Sequence, residues 1–270
     1  MKQVSSALAA GTAVLALGFI GCGGNGRAPF NVKLAADTDS TVKVTWSVPT
    51  AGTPDAYAVY FRSLDETTFS LVAETTVNVY VHDPHGLTGW YRIDARFGTE
   101  AYDASTTPNT IPVRTDTVAV AELNAAGNSG YGWDRETGVA RTYSMRNVGS
   151  RDQVDFYITD FKPAASNQLP YSIASPDMGP GDLGGVVHAD SWRVNAFTDP
   201  LSDETGPLPA YAPNRYFNYV DINRVPIFIG CHTADDYYAF IRVTGVDIDN
   251  SWALVETWFQ TVKGLRLTGH

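Results

Sequence analysis

The chain has 270 residues and a formal net charge of −10, because 29 acidic residues outnumber 19 Lys and Arg. This balance argues against binding to the phosphate backbone of a nucleic acid, which needs a basic surface. The 44% of hydrophobic residues suffice for a buried core and exclude wholesale disorder, and two cysteines exclude a disulfide-rich scaffold. At this length we expect two domains or one large domain.

Residues 1–21 have the pattern of a secretory signal peptide. Lys2 is the only charged residue among them, and an uncharged, mainly apolar run extends from Ala7 to Ile20. A positive start followed by a short apolar run is typical of a signal peptide, and this run is too short to span a bilayer. No later segment has a comparable run, so the sequence predicts export and no transmembrane helix.

A cysteine directly follows this segment. Phe19-Ile20-Gly21-Cys22 resembles the lipobox of bacterial lipoproteins, in which the cysteine is acylated and becomes the first residue of the mature chain. Residues 22–29 then form a flexible tether. The alternative is an ordinary signal peptide after which Cys22 survives as a structural thiol. The resemblance implies a lipid-anchored protein of the bacterial cell envelope, facing the periplasm or the cell exterior, with Cys231 left as a lone buried thiol.

Residues 30–113 consist of short segments in which hydrophobic and polar residues alternate. Val42, Val44 and Trp46 share one face of the first clear segment. Further segments follow at Ala56–Arg62, Phe69–Ala73, Val77–Val81 and Trp90–Phe97. Segments of period two at this spacing, separated by turn residues, predict an antiparallel β-sandwich.

The same region resembles a fibronectin type III domain. The motifs that carry the resemblance are Val42-x-Val44-x-Trp46, Tyr57-x-Val59-Tyr60, and Leu87 followed by Tyr91-x-Ile93-x-Ala95. The resemblance implies that Trp46 packs in the core and that Tyr91 lies on the sixth strand, after a corner leucine. Modules of this family mostly act as spacers or binding units, and the fold alone does not give the function.

Residues 114–270 continue the β pattern after a polar linker at Thr106–Pro112. The candidate strands are Thr117–Leu123, Ala140–Tyr143, Val154–Phe161, Val186–Phe197, Val225–Cys231, Tyr237–Val246 and Ser251–Leu267, the last with a bend near Gly264. No helical periodicity exceeds two turns. The sequence therefore predicts an all-β protein, in which a fibronectin type III sandwich precedes a second, larger β-sandwich.

Scattered motifs in the second unit resemble HmuY-type surface lipoproteins. These motifs are Gly132-Trp133-Asp134, Asp155-Phe156-Tyr157, Tyr237-Tyr238 and Glu256-x-Trp258-Phe259-Gln260. The resemblance implies a β-sandwich, and some members of that family bind haem through paired histidines. His188 and His232 can bind haem or a metal only if the fold brings them together. We expect no cofactor.

The sequence contains no recognisable catalytic motif. It lacks a Gly-x-Ser-x-Gly elbow and a phosphate-binding glycine loop. Cys231 and His232 do not fit a nucleophile–base pair, because neighbours in a strand point to opposite faces. His82 and His85 are a candidate zinc or copper pair, but no third ligand lies nearby in the sequence, which favours an exposed polar turn. We predict no catalytic residue and no metal, while a hydrolase with two carboxylates leaves no local signature.

Aromatic residues are concentrated in the second unit. Tyr237, Tyr238, Trp252 and Trp258 are the candidates for a platform that binds a glycan or protein ligand, and the alternative is that they fill a core. Trp192, Tyr211, Tyr216, Phe217 and Tyr219 belong to the same concentration. The sequence favours a lipid-anchored, non-catalytic binding or adhesion protein with no nucleic-acid partner. A carbohydrate-active or other hydrolase is the alternative.

Overall fold

In the computed structural model, the described residues 26–161, 169–182, 192–202 and 206–270 are mostly in β-strands. The predicted all-β fold class is confirmed. The signal-peptide segment, Cys22 and His188 lie outside the described residues.

Helical structure is confined to three short stretches in the described ranges. Two are 3₁₀ turns at Val148–Ser150 and Pro176–Met178, and the third is α1 (Gly179–Asp182). No helix within these ranges has the length and hydropathy needed to cross a membrane.

Seven strands form the first sandwich. They are β1 (Phe30–Ala36), β2 (Val42–Ser47), β3 (Ala56–Ser63), β4 (Ser70–Thr75), β5 (Val79–His82), β6 (Gly89–Phe97) and β7 (Glu100–Asp103). One antiparallel sheet has the order β1-β2-β5 and the other has the order β4-β3-β6-β7. Two antiparallel sheets of three and four strands form an immunoglobulin-like β-sandwich.

Trp46 and Tyr91 are central to the core of the first sandwich. Trp46 is 3% exposed and packs edge-to-face against Tyr57, with ring centroids 5.2 Å apart. Tyr91 lies fully buried on β6, the sixth strand, and its hydroxyl oxygen is 2.9 Å from Nδ1 of His82. Leu87 is half exposed rather than packed at the corner, so it contributes little to this core.

Eleven strands form the second sandwich in the described part of the chain. They are β8 (Val113–Ala121), β9 (Gly130–Trp133), β10 (Ala140–Tyr143), β11 (Phe156–Thr159), β12 (Ser172–Ala174), β13 (Ala196–Thr198), β14 (Tyr216–Phe217), β15 (Tyr219–Asp221), β16 (Ile227–His232), β17 (Tyr238–Asp247) and β18 (Trp252–Phe259). A five-stranded sheet has the order β10-β9-β11-β12-β15, and a six-stranded sheet has the order β14-β13-β16-β17-β18-β8. Buried residues of both sheets, among them Phe156 and Ile241, form one core between them.

Strand β9 is absent from the sequence-based prediction. Two glycines in Gly-Tyr-Gly-Trp lower the strand propensity of this segment. The structure gives the reason for Gly132, since a Cβ atom there would lie 1.7 Å from the carbonyl oxygen of Gln153. The close approach of these two backbone segments therefore requires glycine.

The C-terminal segment, residues 260–270, returns to the first sandwich. The strand predicted over Ser251–Leu267 ends at Phe259, where β18 ends. Gly264, at a φ of 79°, provides the bend that follows. Leu265 and Leu267 are fully buried in the core of the first sandwich. Residues that follow the second sandwich in the sequence therefore complete the core of the first.

Polar and aromatic contacts hold the C-terminal segment in place. The backbone N–H of Arg266 donates to the carbonyl oxygen of Asp39 at 2.8 Å, and its guanidinium lies 3.1 Å from the Asp39 carboxylate. The same guanidinium donates to the carbonyl oxygen of Leu208 at 2.7 Å. His270 stacks on Trp258, with ring centroids 3.8 Å apart. The segment is thus bonded to both sandwiches.

Candidate functional site

The four aromatic candidates do not form one exposed platform. Tyr238 and Trp258 are 3% and 5% exposed and belong to an apolar cluster on the outer face of the six-stranded sheet. Tyr237 lies on the opposite face and stacks on Phe259, with ring centroids 5.4 Å apart. Trp252 is half-buried at the start of β18. Packing thus accounts for Tyr237, Tyr238 and Trp258.

His82, at the end of β5, and His85, in the loop that follows, occupy different environments. His82 is half-buried beside Tyr91, and burial lowers the pKa of its imidazole. The side chain of His85 is largely exposed, and its Nδ1 lies 3.5 Å from a carboxylate oxygen of Asp83. Among the described residues, these two histidines are not part of a group of three or more His, Cys, Asp or Glu side chains that could hold a metal ion.

His232 is enclosed by aromatic rings. Its ring stacks on Tyr211 at a centroid distance of 4.3 Å, and its Nε2 lies 3.0 Å from Oδ1 of Asp236. Its predicted companion, His188, lies outside the described residues. In the described part of the chain, no group of three or more His, Cys, Asp or Glu side chains is arranged to hold a metal ion.

A buried charge network surrounds Asp155. Arg135 donates to this carboxylate at 2.7 and 2.8 Å, and Arg193 donates to it at 2.8 Å. Arg135 also donates to Asp235 at 2.8 and 2.9 Å. Burial alone would raise the pKa of Asp235, but the hydrogen bonds from Arg135 and Thr233 lower it to about 2. Two cations balance two anions, so this network is satisfied without a ligand.

Glu122 is another buried carboxylate, 5% exposed. Burial raises its pKa, hydrogen bonding by Asn124 opposes that rise, and the nearby Asp160 carboxylate raises the pKa further. The backbone N–H of Asn124 donates to Glu122 Oε2 at 2.8 Å, and its side-chain amide donates to Oε1 at 3.2 Å. These bonds give Glu122 a structural role in the turn after β8.

A cleft of about 340 Å³ lies where the chain passes between the two sheets of the second sandwich. Strand β14 is at the edge of the six-stranded sheet, β15 is at the edge of the five-stranded sheet, and Asn218 alone separates them. We call this feature the edge cleft. Its aromatic and polar lining consists of Asp199, Phe217, Asn218, Tyr219, Asp221 and Asn223.

Two aromatic rings of the edge cleft reach solvent. Phe217 is 41% exposed and Tyr219 is 36% exposed, because each lies on the last strand of its sheet. The ring of Tyr219 packs edge-on against Phe161, with centroids 5.2 Å apart. This contact fixes the orientation of a ring that remains accessible.

Hydrogen bonds hold the polar wall of the edge cleft. Ser172 donates from Oγ to Asp221 Oδ1 at 2.7 Å, and the backbone N–H of Ser175 donates to the carbonyl oxygen of Asn218 at 2.7 Å. The side chains of Asn218, Asp221 and Asn223 are exposed. The cleft therefore combines accessible rings with amide and carboxylate groups, which can stack on a ligand and bond to its hydroxyls.

The sequence prediction groups Phe217 and Tyr219 with the other aromatics but does not select them. The strands that carry them have two and three residues, too few for periodicity to indicate which rings are exposed. A feature of the sequence that could indicate an accessible aromatic site here is the amide residue Asn218 between Phe217 and Tyr219.

No family model and no curated protein matches the chain. Among solved structures, it is similar to a two-domain fibronectin type III segment of chicken tenascin, with 10% identity over 80% of this chain and 91% of that chain and a TM-score of 0.26. The FN1–FN3 domains of chicken CNTN1 are 10% identical over 86% of this chain and 67% of that chain, with a TM-score of 0.26. A protein from a computer-based redesign of a β-sandwich is 26% identical over 31% of this chain and 88% of that chain, with a TM-score of 0.24. The β-sandwich fold of the first unit follows from its own two antiparallel sheets.

Proposed function

We propose that the protein is a lipid-anchored, extracytoplasmic, non-catalytic binding protein, and that the edge cleft binds a saccharide. The observation that carries this proposal is the presence of two exposed rings, Phe217 and Tyr219, in one cleft with exposed amide and carboxylate side chains. The lipobox-like sequence at Cys22 and the glycine-rich residues after it support the anchor.

The chemistry of the lining favours a neutral saccharide. A sugar ring presents an apolar C–H face, which stacks on an aromatic ring, and a rim of hydroxyls, which donate to carboxylate and amide oxygens. Asp199 and Asp221 give the cleft negative charge, so an acidic sugar would be repelled. In this arrangement the first sandwich separates the binding cleft from the tether.

The alternative function is a hydrolase. The observation that favours it is that Asp199 and Asp221 line the same cleft, because glycoside hydrolysis uses two carboxyl groups, one of them a general acid. A hydrolase would release reducing ends from an oligosaccharide, and Asp221→Asn would abolish that release.

The test is calorimetric titration of a chain that begins at Gly23 with neutral oligosaccharides of glucose, xylose and N-acetylglucosamine. We expect Phe217→Ala and Tyr219→Ala each to weaken binding about tenfold, because each removes one stacking ring. Tyr211 is 48% exposed and does not line the cleft, so Tyr211→Ala is the matched control and should bind normally. Equal affinities of all three variants, or no binding by the unaltered protein, would exclude the edge cleft as the saccharide site.

A further inference from the structure

The four-stranded sheet of the first sandwich carries arginines and aromatic rings on its outer face. In the β3–β6 register, Tyr60 lies opposite Arg92 and Arg62 lies opposite Trp90. The alternate residues of β3, including Phe61, are buried in the core, so these two pairs face outward. We call Tyr60, Arg62, Phe69, Trp90 and Arg92 the arginine–aromatic face.

The guanidinium groups of this face lie against the rings. The central carbon of Arg62 is 4.1 Å from the ring centroid of Trp90 and 5.3 Å from that of Phe69. The central carbon of Arg92 is 4.3 Å from the ring centroid of Tyr60. Stacking of this kind restrains a guanidinium group and leaves its N–H bonds directed outward in its own plane.

Arg62 differs from the neighbouring arginines in its lack of an acidic partner. Arg92 lies 3.1 Å from the Asp94 carboxylate, and Arg96 lies 2.6 Å from Glu74. Among the described residues, Arg62 has no hydrogen-bond or ion-pair partner, and its Nε atom is shielded from solvent. Nε of Arg92 is shielded and without a hydrogen bond in the same way, so the lack of an acidic partner is what distinguishes Arg62. A ligand cannot reach a shielded atom, so an added acceptor would pair with the two terminal Nη groups of Arg62.

We propose that Arg62 and Trp90 form a binding position for a carboxylate carried by a saccharide, as in a uronic acid residue. The planar guanidinium edge of Arg62 matches the two oxygens of a carboxylate. The half-buried ring of Trp90 beside it provides an apolar surface for the sugar. This position lies on the first sandwich and does not depend on the edge cleft.

The sheet order argues against an extended peptide at this position. Strands β3 and β6 are the two inner strands of the order β4-β3-β6-β7, so their backbone groups are already paired. A peptide that adds to a sheet needs an unpaired edge strand. Recognition at Arg62 therefore depends on side chains, which suits a charged sugar.

The test follows the Arg62 Nε–H resonance by NMR while a chain beginning at Gly23 is titrated with digalacturonate. The same titration is made with digalactose, the neutral counterpart. It is also made with galactose 6-sulfate and with an oligo-aspartate peptide, which carry their negative charge on a sulfate and on a peptide. We expect digalacturonate to shift this resonance and to bind at least about tenfold more tightly than digalactose, because one charge-assisted pair is formed. Equal binding of the two sugars, or tighter binding of the sulfate or the peptide, would overturn the proposal.

Variants complete this test. Arg62→Gln should weaken digalacturonate binding about tenfold, and Arg62→Lys should also weaken it, because an ammonium group lacks the planar fork. Arg141, exposed on β10, provides the control Arg141→Gln, which should bind normally. Phe217→Ala should also bind digalacturonate normally, which separates this position from the edge cleft. Each variant is first shown to be folded by its thermal transition, and unchanged affinity in a folded Arg62→Lys or Arg62→Gln protein would overturn the assignment.

Discussion

The side-chain amide of Gln260 donates a hydrogen bond of 2.7 Å to the carbonyl oxygen of Thr110 and one of 2.6 Å to that of Leu267. Gln260 is fully buried, and its Oε1 accepts a hydrogen bond of 3.0 Å from the N–H of Val262. One side chain therefore joins the segment between the two sandwiches to the C-terminal segment. We expect the two sandwiches to unfold together, because separating them exposes this buried amide and its partners.

Leu267→Ala should lower the free energy of unfolding by about 2–5 kcal/mol, as expected for a fully buried leucine. Denaturant unfolding followed by tryptophan fluorescence and by circular dichroism measures this change, and both probes should show one transition. Leu71 on β4 is 50% exposed, and Leu71→Ala should change the stability by about 0.5 kcal/mol or less. A similar effect of the two substitutions would contradict the assignment of Leu267 to the core.

Cys22→Ala should move the protein from the membrane fraction to the soluble fraction, because the acyl chains supply the membrane affinity. Fractionation of cells after a high-salt wash is the measurement. Cys231→Ala is the control, and this variant should stay with the membrane. Persistence of the Cys22→Ala protein in the membrane fraction would show that lipidation is not what anchors it.

Cys231 should react slowly with thiol reagents in the native protein. It is fully buried on β16, and burial raises the pKa of its thiol, so little thiolate forms at neutral pH. In a chain that begins at Gly23, we expect slow native labelling and one equivalent after denaturation. Val194 is 63% exposed, and a Val194→Cys variant should gain a second thiol that labels rapidly. Rapid labelling of the unaltered protein would refute the burial of Cys231.

Asp235 should make the stability depend on pH in the acid range. Its pKa falls from 3.8 to about 2 on folding. The ionised carboxylate therefore stabilises the folded state at a pH above 3.8. That stabilisation is lost as the pH falls toward the lower value. We expect Asp235→Asn to lose less stability than the unaltered protein between about pH 4 and pH 2.

The measurement for Asp235 is urea unfolding at several pH values. The side chain of Asp152 is 81% exposed, and Asp152→Asn serves as the control, with a pH dependence like that of the unaltered protein. Identical pH profiles for Asp235→Asn and Asp152→Asn would rule out the proposed effect of the ion pair with Arg135.

Local alternation was enough to predict much of the fold. The period-two pattern of Val42, Val44 and Trp46 gives strand β2, because the side chains of a strand alternate between its faces whatever their distant neighbours are. Leu265 and Leu267 continue the same pattern beyond β18, yet they pack in the other sandwich. That choice depends on contacts between residues far apart in the sequence, which periodicity does not contain.

The candidate site was harder to predict than the strands. Tyr238 and Phe217 are both aromatic residues in β-strands of one sheet, but Tyr238 lies on an inner strand and Phe217 lies on the last one. Exposure follows from the order of strands in the sheets, and that order is set by the whole chain. Composition indicated a concentration of aromatics but not which of them reach solvent.

Leu265 and Leu267 pack in the core of the first sandwich, although they follow the second sandwich in the sequence. This affects when a chain that is secreted amino end first, as proposed, can complete its fold. The seven strands of the first sandwich would emerge from the translocation channel long before the two leucines that complete its core. Contacts between residues so far apart form late, since the intervening chain must first be available. Arrival of residue 267, rather than emergence of the first sandwich, then sets the time at which the exported chain becomes resistant to envelope proteases.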